Sequence, residues 1–275
     1  MSDTLARKKK LKLSLTIAIT IGLIIAGFSY WRYLEIHPST DDAYLQAHVI
    51  NIAPQIDGKI IKLAVQNNQV VKQGQLLFSL HPEPYQLAVN KARAQLELDR
   101  KNAERFISLS EGGRAAKVEE DEAKAKLAVS KANLAEAELN LRYTEIKAPS
   151  DGTITNLSLR EGNVVAAGTP VFALIEANNW WVDANYKETQ LKRIRTGQRA
   201  EVKVDMYPGQ VFKAQVESIS QGSGAAFSLL PPENASGNWV KVTQRFAVKL
   251  RLLEQDPLHP FRVGASVTAT IHTGE

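Results

Sequence analysis

Two periods of hydrophobic spacing divide this chain. Over residues 49–82 and again over 147–177, apolar and polar positions alternate with a period of two. That is the spacing of a strand with one buried face. From Glu83 to Ile146 the period becomes heptad-like. Tyr85, Val89, Ala92, Leu96, Asp99, Ala103 and Phe106 fall at steps of four and three, as do Ala123, Leu127, Ser130, Leu134, Ala137, Leu141 and Thr144. Pro82 and Pro84 stand at the start, Pro149 follows the end, and Ser110-Glu-Gly112-Gly113-Arg114 interrupts the middle. The pattern predicts an antiparallel helical hairpin over 83–146, with arms about 35–45 Å long. Its seam is rich in alanine, so the helices approach closely but bury little area. Such an arm is a slender projection rather than a domain core.

The two period-two stretches are one motif written twice. Gly58, Ile60, Leu63, Val70, Val71, Gly74 and Leu80 recur at a constant offset as Gly152, Ile154, Leu157, Val164, Val165, Gly168 and Leu174. Each copy reads as a strand, a turn and a second strand, with glycines where a bend needs positive φ. Neither copy is large enough to bury its apolar face alone, so the two must close on each other. The expected result is one small β-sandwich split by the hairpin, with halves at 49–82 and 147–177.

Residues 178–275 return to short strands at Trp180–Tyr186, Ala200–Val204, Val211–Ile219, Val240–Leu253 and Val263–His272. In the fourth, Val240, Val242, Phe246, Val248, Leu250 and Leu252 are expected to share the buried side. Residues 34–48 are read as a linker and a first strand of the same small antiparallel barrel. The segment from Gly222 to Trp239 has neither period. It is long for a loop and sets Phe227, Leu229 and Leu230 beside Pro231 and Pro232, with Asn234 and Asn238 following. Those residues are candidates for contact with a neighbouring subunit or a partner; plugging the barrel end is the alternative.

The N-terminus changes the picture of where the chain works. Arg7, Lys8, Lys9, Lys10 and Lys12 against Asp3 account for four of the five net positive charges. The remainder is near neutral, which gives a nucleic-acid role little support. Leu13 to Trp31 carries no charge and ends in Tyr30, Trp31 and Tyr33. That length suits a bilayer-spanning helix over 13–33, and the basic flank places residues 1–12 in the cytoplasm and the rest outside it. A cleaved signal peptide would have a shorter apolar run and a small-residue cleavage site.

Candidate chemistry is sparse. The chain has no cysteine, which removes disulfides and thiol catalysis. His37, His48, His81, His259 and His272 have no metal-ligand spacing, and Gly222-Ser-Gly224 lacks the strand-turn-helix context of a nucleophile elbow. No enzyme, metal or cofactor is expected. A lipoyl- or biotin-carrier domain would place a modified lysine between the half-motifs, where the hairpin stands instead.

The chain resembles the membrane fusion, or periplasmic adaptor, proteins of the HlyD group, and is most similar to their EmrA branch. The resemblance rests on Thr40-Asp-Asp-Ala-Tyr44, on split lipoyl-like halves with Ala148-Pro-Ser-Asp-Gly152, and on Trp181-Val-Asp-Ala-Asn-Tyr-Lys-Glu188. Gly222 through Arg245 is the most specific block. It implies a mainly β fold with a helical hairpin: N-terminal transmembrane helix, split lipoyl-like sandwich, α-hairpin coiled coil and C-terminal small β-barrel. It further implies a single-pass inner-membrane protein with a periplasmic body, assembled as a trimer or hexamer. Its partners would be an inner-membrane transporter and a TolC-like outer-membrane channel, joined for efflux of drugs or other small molecules. At the tip the family pattern maps onto Arg105 and Leu109, expected on an exposed end, while Ala116 stands where a serine is usual. His81 replaces a common aspartate. With no domain after the barrel, an EmrB-like major-facilitator transporter is favoured; a type I ABC secretion system or an aromatic-acid exporter are the alternatives.

Overall fold

The computed structural model describes residues 20–112, 116–227, 242–254, 256 and 258–274. The chain divides into two units, one of residues 1–47 with 179–275 and the other of 48–178. It begins with helix α1 (20–36), then β1 (Ser39–Thr40) and β2 (Ala43–Gln46). Among the described residues no helix is long and apolar enough to cross a membrane. The expected span of 13–33 lies outside them at 13–19, and the described helix continues three residues past its expected end.

The second unit holds the duplicated motif. Its first copy gives β3 (Val49–Ile52), β4 (Gly58–Leu63), β5 (Val70–Val71) and β6 (Leu76–Leu80). Then come α2 (Glu83–Glu111) and α3 (Lys117–Arg142). The second copy gives β7 (Glu145–Lys147), β8 (Gly152–Thr155), β9 (Val164–Val165) and β10 (Phe172–Glu176). Two four-stranded sheets result, in the orders β3-β10-β8-β5 and β7-β6-β4-β9. The halves exchange strands: β5 of the first copy pairs with β8 of the second, and β9 of the second pairs with β4 of the first. Between the sheets lie Ile60, Val71, Leu77, Phe78, Leu80, Ile154 and Leu174, each no more than 1% exposed. The Phe78 and Phe172 rings meet edge to face at 5.9 Å.

Two expectations are corrected here. Each copy has more than the two strands expected, because the short valine pair between its long strands also enters a sheet. The equivalent glycines also differ in purpose. Gly74 and Gly168 do take positive φ, at 79° and 74°. Gly58 and Gly152 do not; they open β4 and β8 where another strand passes close. A Cβ on Gly152 would lie 2.3 Å from the Ile175 carbonyl oxygen, and one on Gly58 would lie 3.1 Å from the Leu80 Cβ.

The seam of α2 and α3 falls where the heptads place it. Val89, Ala103, Ala123 and Ser130 are buried, and Tyr85, Ala92, Leu96, Phe106, Leu127, Leu134, Ala137 and Leu141 are half-buried. The charged seam position is satisfied across the interface. The Ser130 hydroxyl reaches the Asp99 carboxylate and also the Lys126 carbonyl at 2.8 Å. That contact, and after it Gln95, holds the Asp99 carboxyl below its ordinary range. The heptad pattern overshoots at its end. Helix α3 stops at Arg142, so Thr144 lies beyond it and Ile146 belongs to β7, which pairs with β6.

The first unit continues with β11 (Trp181–Lys187), β12 (Arg199–Val204), β13 (Phe212–Ser223), a 3₁₀ turn (Gly224–Phe227), β14 (Arg245–Leu252) and β15 (Val267–Ile271). The strand order is β1-β15-β12-β13-β14-β11-β2. Its two edges are nearly consecutive in sequence, and they close the sheet. Tyr44 bridges Ser266, Leu45 N–H donates to the Ala265 carbonyl at 2.9 Å, and Gly264 N–H donates to the Leu45 carbonyl at 2.8 Å. Closure removes the exposed edges that make an open sheet prone to mispairing. Among the described residues Tyr186 is the largest fully buried side chain; its hydroxyl donates to the Ala269 carbonyl at 2.9 Å, and burial raises its phenol well above the usual value.

The fourth expected strand is shorter than its pattern. β14 begins at Arg245, and Val242 is 68% exposed and outside it. Val248 and Leu250 take the buried side, with Phe246 and Leu252 half-buried. Val240 lies outside the described residues.

Candidate interaction sites

The tip of the helical pair is framed by the last turn of α2 and the first of α3. Arg105 and Leu109 are four residues apart, so they share one face of α2. Arg105 is exposed, and among the described residues it enters no ion pair; Leu109 is half-buried, not free as expected. Gly113, Arg114 and Ala115 lie outside the described residues. Ala116 is the N-cap of α3, in extended conformation. Its methyl group offers no acceptor to the first turn, so only half of a capping box forms: the Glu119 carboxylate accepts from Ala116 N–H at 3.3 Å. A serine there would supply the missing half with Glu119 three residues on. The absent hydroxyl therefore has a structural consequence independent of any docking role. Just behind the tip, Glu120 contacts Lys124 and also Ser110 of α2, and both hold its carboxyl below the ordinary value, Lys124 more.

The second site is a rim of the barrel. Of the residues singled out by sequence, Leu229, Leu230, Pro231, Pro232, Asn234 and Asn238 lie outside the described residues. Phe227 ends the 3₁₀ turn. The segment expected to lack regular structure from Gly222 is in fact ordered up to that point, because β13 runs on through Ser223. What sequence reasoning missed lies where this segment rejoins the barrel. Arg245 pairs with Asp42 at 3.2 Å and donates to the Asn185 carbonyl at 3.1 Å. The Asn185 side chain donates to Asp42 at 3.1 Å, and buried Thr40 donates through Oγ1 to the Asn185 carbonyl at 2.9 Å. Glu188 N–H closes the group on the Gln244 carbonyl at 2.9 Å.

Thr40-Asp42, Asn185-Glu188 and Gln244-Arg245 belong to three separate blocks of the motif pattern, and the barrel brings them to one rim. A signal was present in the sequence, since polar residues interrupt otherwise strand-like runs at these points. Asn185 stands 143 residues from Asp42, and Arg245, which also donates to Thr40 Oγ1 at 3.4 Å, stands 205 residues from Thr40, separations that no local pattern connects. Both members of the Asp42–Arg245 pair are over 30% exposed, so the cluster orients the strand ends more than it stabilises them.

Helix α1 joins this same rim. The Ile36 carbonyl at its end accepts from Thr273 N–H at 3.0 Å and Thr273 Oγ1 at 2.8 Å. Glu35 pairs with Arg193 at 2.8 Å, and the His37 ring lies between Tyr33, stacked at 4.3 Å, and the edge of His272 at 5.1 Å. The remaining histidines are dispersed: His81 sits 3.6 Å from Glu83 and His259 2.7 Å from Asp256. Among the described residues no three metal-ligating side chains gather.

Comparison with known proteins agrees with both units. Residues 48–177 match the family model "RND MFP, barrel-sandwich hybrid domain", and residues 179–272 match "AAEA-like beta-barrel domain". The multidrug resistance protein MdtN of Shigella flexneri is 31% identical over 98% of this chain and 99% of its own length. The fatty acid resistance protein FarA of Neisseria gonorrhoeae is 31% identical, over 99% of this chain and 85% of its own. The alignment to MdtN extends over 342 positions against a chain of 275, so that relative carries stretches with no counterpart here. Among solved structures, a MacA-MexA chimeric protein containing the Pseudomonas aeruginosa MexA α-hairpin domain superposes with a TM-score of 0.69. It is 21% identical and covers 87% of this chain and 82% of its own. The periplasmic adaptor protein EmrA gives 0.51 at 19% identity, covering 87% of this chain and 99% of its own. These likenesses at low identity speak for the fold, while the full-length relatives settle the kinship: the chain belongs to the membrane fusion, or periplasmic adaptor, family, in its EmrA-like branch of multidrug-efflux proteins.

Proposed function

We propose that this adaptor is anchored in the inner membrane by α1 and the apolar residues before it, with its N-terminus in the cytoplasm and its body in the periplasm. The observation that carries the reading is the fastening of α1 to the barrel rim through Glu35–Arg193 and Thr273–Ile36. That rim is also where the segment around Phe227, Leu229, Leu230, Pro231, Pro232, Asn234 and Asn238 leaves and rejoins the barrel. A partner-contact segment whose ends stand on the rim that holds a membrane helix is suited to meeting a neighbouring subunit or an inner-membrane transporter, here of the EmrB-like major-facilitator kind. The hairpin tip, with Arg105 and Leu109 and with Ala116 capping α3, is the surface that would meet a TolC-like channel. Assembly as a trimer or hexamer belongs to the same reading.

A second reading, export of an organic acid rather than of drugs, is supported by the fatty acid resistance for which FarA is named. The topology is tested by fusing alkaline phosphatase after Glu275. Activity is expected; a reporter active only in the cytoplasm would overturn the anchor. Identifying the exporter that co-purifies with the full-length chain separates the drug and acid readings.

A further inference from the structure

The turn between β11 and β12 carries charge that neither site above uses. From residue 187 to 199 stand five basic residues, Lys187, Lys192, Arg193, Arg195 and Arg199, against the single acid Glu188. The turn is pinned rather than loose. Ile194 is fully buried beneath it. The Gln190 side chain accepts from Lys187 N–H at 2.9 Å and donates to the Ser39 carbonyl at 3.2 Å. The Gln198 side chain accepts from Arg195 N–H at 2.8 Å and donates to the Arg193 carbonyl at 3.1 Å. Lys187, Lys192, Arg195 and Arg199 are exposed, and among the described residues neither lysine pairs with an acid. Of the acids at this rim, Glu35 pairs with Arg193, Asp42 with Arg245, and Glu201 with His272 at 3.3 Å. A basic excess remains.

The helix beside this turn gives its height. Tyr30, Trp31 and Tyr33 on α1 are 65%, 58% and 58% exposed. Such rings settle where hydrocarbon meets headgroups. Glu35, which holds Arg193, follows Trp31 by four residues, or about 6 Å along the helix axis. With the rings at the interface, the basic turn stands at the level of the lipid phosphates. The patch is polar, mostly of one sign and without an apolar centre, which suits a headgroup layer better than a protein interface with an aromatic core.

We infer that the β11–β12 turn is a collar binding the anionic phospholipid headgroups around the anchor, with Lys187, Lys192 and Arg195 as its phosphate contacts. Lys and Arg donate charge-assisted hydrogen bonds to phosphate oxygens, and basic residues held close to an anionic surface are drawn to it. The collar would fix the height of the barrel above the membrane. The inference rests on reading α1 as a membrane anchor. Topogenic signals count basic residues in short flanking loops. Gln190, in the middle of this turn, is 151 residues from the Ser39 carbonyl it binds, so only folding brings the collar to the membrane.

The chain has no cysteine, so a single introduced thiol reports cleanly. Full-length Thr196→Cys, labelled with a polarity-sensitive fluorophore, is reconstituted into phosphatidylcholine vesicles with and without phosphatidylglycerol. Quenching by neutral acrylamide should fall several-fold when phosphatidylglycerol is present. The protection should vanish at high salt and in the background of Lys187→Glu, Lys192→Glu and Arg195→Glu. A label at Leu258→Cys, at the other end of the barrel, should show no lipid dependence. Equal quenching in both lipids for a chain that floats with the vesicles overturns the collar alone. So does protection that needs a purified protein partner rather than phosphatidylglycerol. Failure to float with either vesicle overturns the anchor reading and the collar with it.

Discussion

The split sandwich and the helical pair grow from the same stretch of chain but are held together in opposite ways. The sandwich is closed by residues from two copies some ninety positions apart, and each copy lends its short strand to the other's sheet. Its core is dry, with Leu77, Phe78, Leu80, Ile154 and Leu174 at 0% exposure. The helical pair is held by a narrow seam in which only Val89, Ala103, Ala123 and Ser130 are buried. Exchange makes the sandwich cooperative, since losing either half removes strands from both sheets. The pair can lose contacts one at a time. A device that must stay rigid at its base and adapt at its far end needs both kinds of construction.

The sharpest test of the sandwich's interlock lies in its two equivalent glycines. Gly152→Ala forces a Cβ onto the Ile175 carbonyl, a backbone atom that cannot move without opening β10. It should cost about 3 kcal/mol or more and strongly reduce the folded yield of the full-length protein. Gly58→Ala meets only the Leu80 side chain and should cost visibly less. Equal losses in thermal unfolding would mean that the duplicated halves are also equivalent in packing.

Next in size is the contrast between cores. Phe78→Ala should lower stability by about 3–5 kcal/mol, whereas Leu96→Ala on the half-exposed seam should cost about 1–2 kcal/mol. If Leu96→Ala destabilises as much as Phe78→Ala in denaturant titrations, the arm is not the locally held structure described.

A smaller effect concerns acid. The Asp99 carboxyl is held below its ordinary value of 3.8, chiefly by Ser130. A lowered folded-state value means stability that is present above the ordinary value and is lost as the pH falls through the lowered one. Helicity of the arm should therefore persist at pH 5 and decline only under stronger acid. Ser130→Ala should move the Asp99 titration, followed by carboxyl NMR, upward toward 3.8; an unmoved titration would remove the hydroxyl from the account.

Smallest is the cap of α3. Ala116→Ser completes the box with Glu119 and should stabilise the tip by about 1 kcal/mol, read as slower amide exchange in the first turn of α3. If exchange is unchanged while resistance rises, the serine of related tips acts in docking instead.

Sequence revealed the elements that repeat and hid those that do not. Seven residues of the duplicated motif and fourteen of the heptads suffice to locate the sandwich halves and the helical pair. The strand exchange was not legible, because Val70-Val71 and Val164-Val165 are too short to carry a period. Gly152 looked like a turn glycine, because close backbone approach leaves the same residue type as positive φ. Val242 kept the alternation of β14 without belonging to it, since a period continues on paper after the pairing strand has ended. The rim cluster of Thr40, Asp42, Asn185 and Arg245 showed only as polar interruptions that nothing connected, because only barrel closure assembles it. Of the proposed sites, Arg105 and Ala116 fall on the tip, whereas the segment after Phe227 could be placed only by its ends.

The central claim is that the tip of the helical pair and the barrel rim serve different partners. It is tested most directly by co-purifying the inner-membrane transporter with full-length wild type and two variants, while scoring resistance in the same cells. The account predicts that Arg105→Asp with Leu109→Asp abolishes resistance and keeps the transporter bound, and that Phe227→Ser with Leu229→Ser releases the transporter. Loss of the transporter from the tip variant, or its full retention by the variant at the barrel rim, would contradict it.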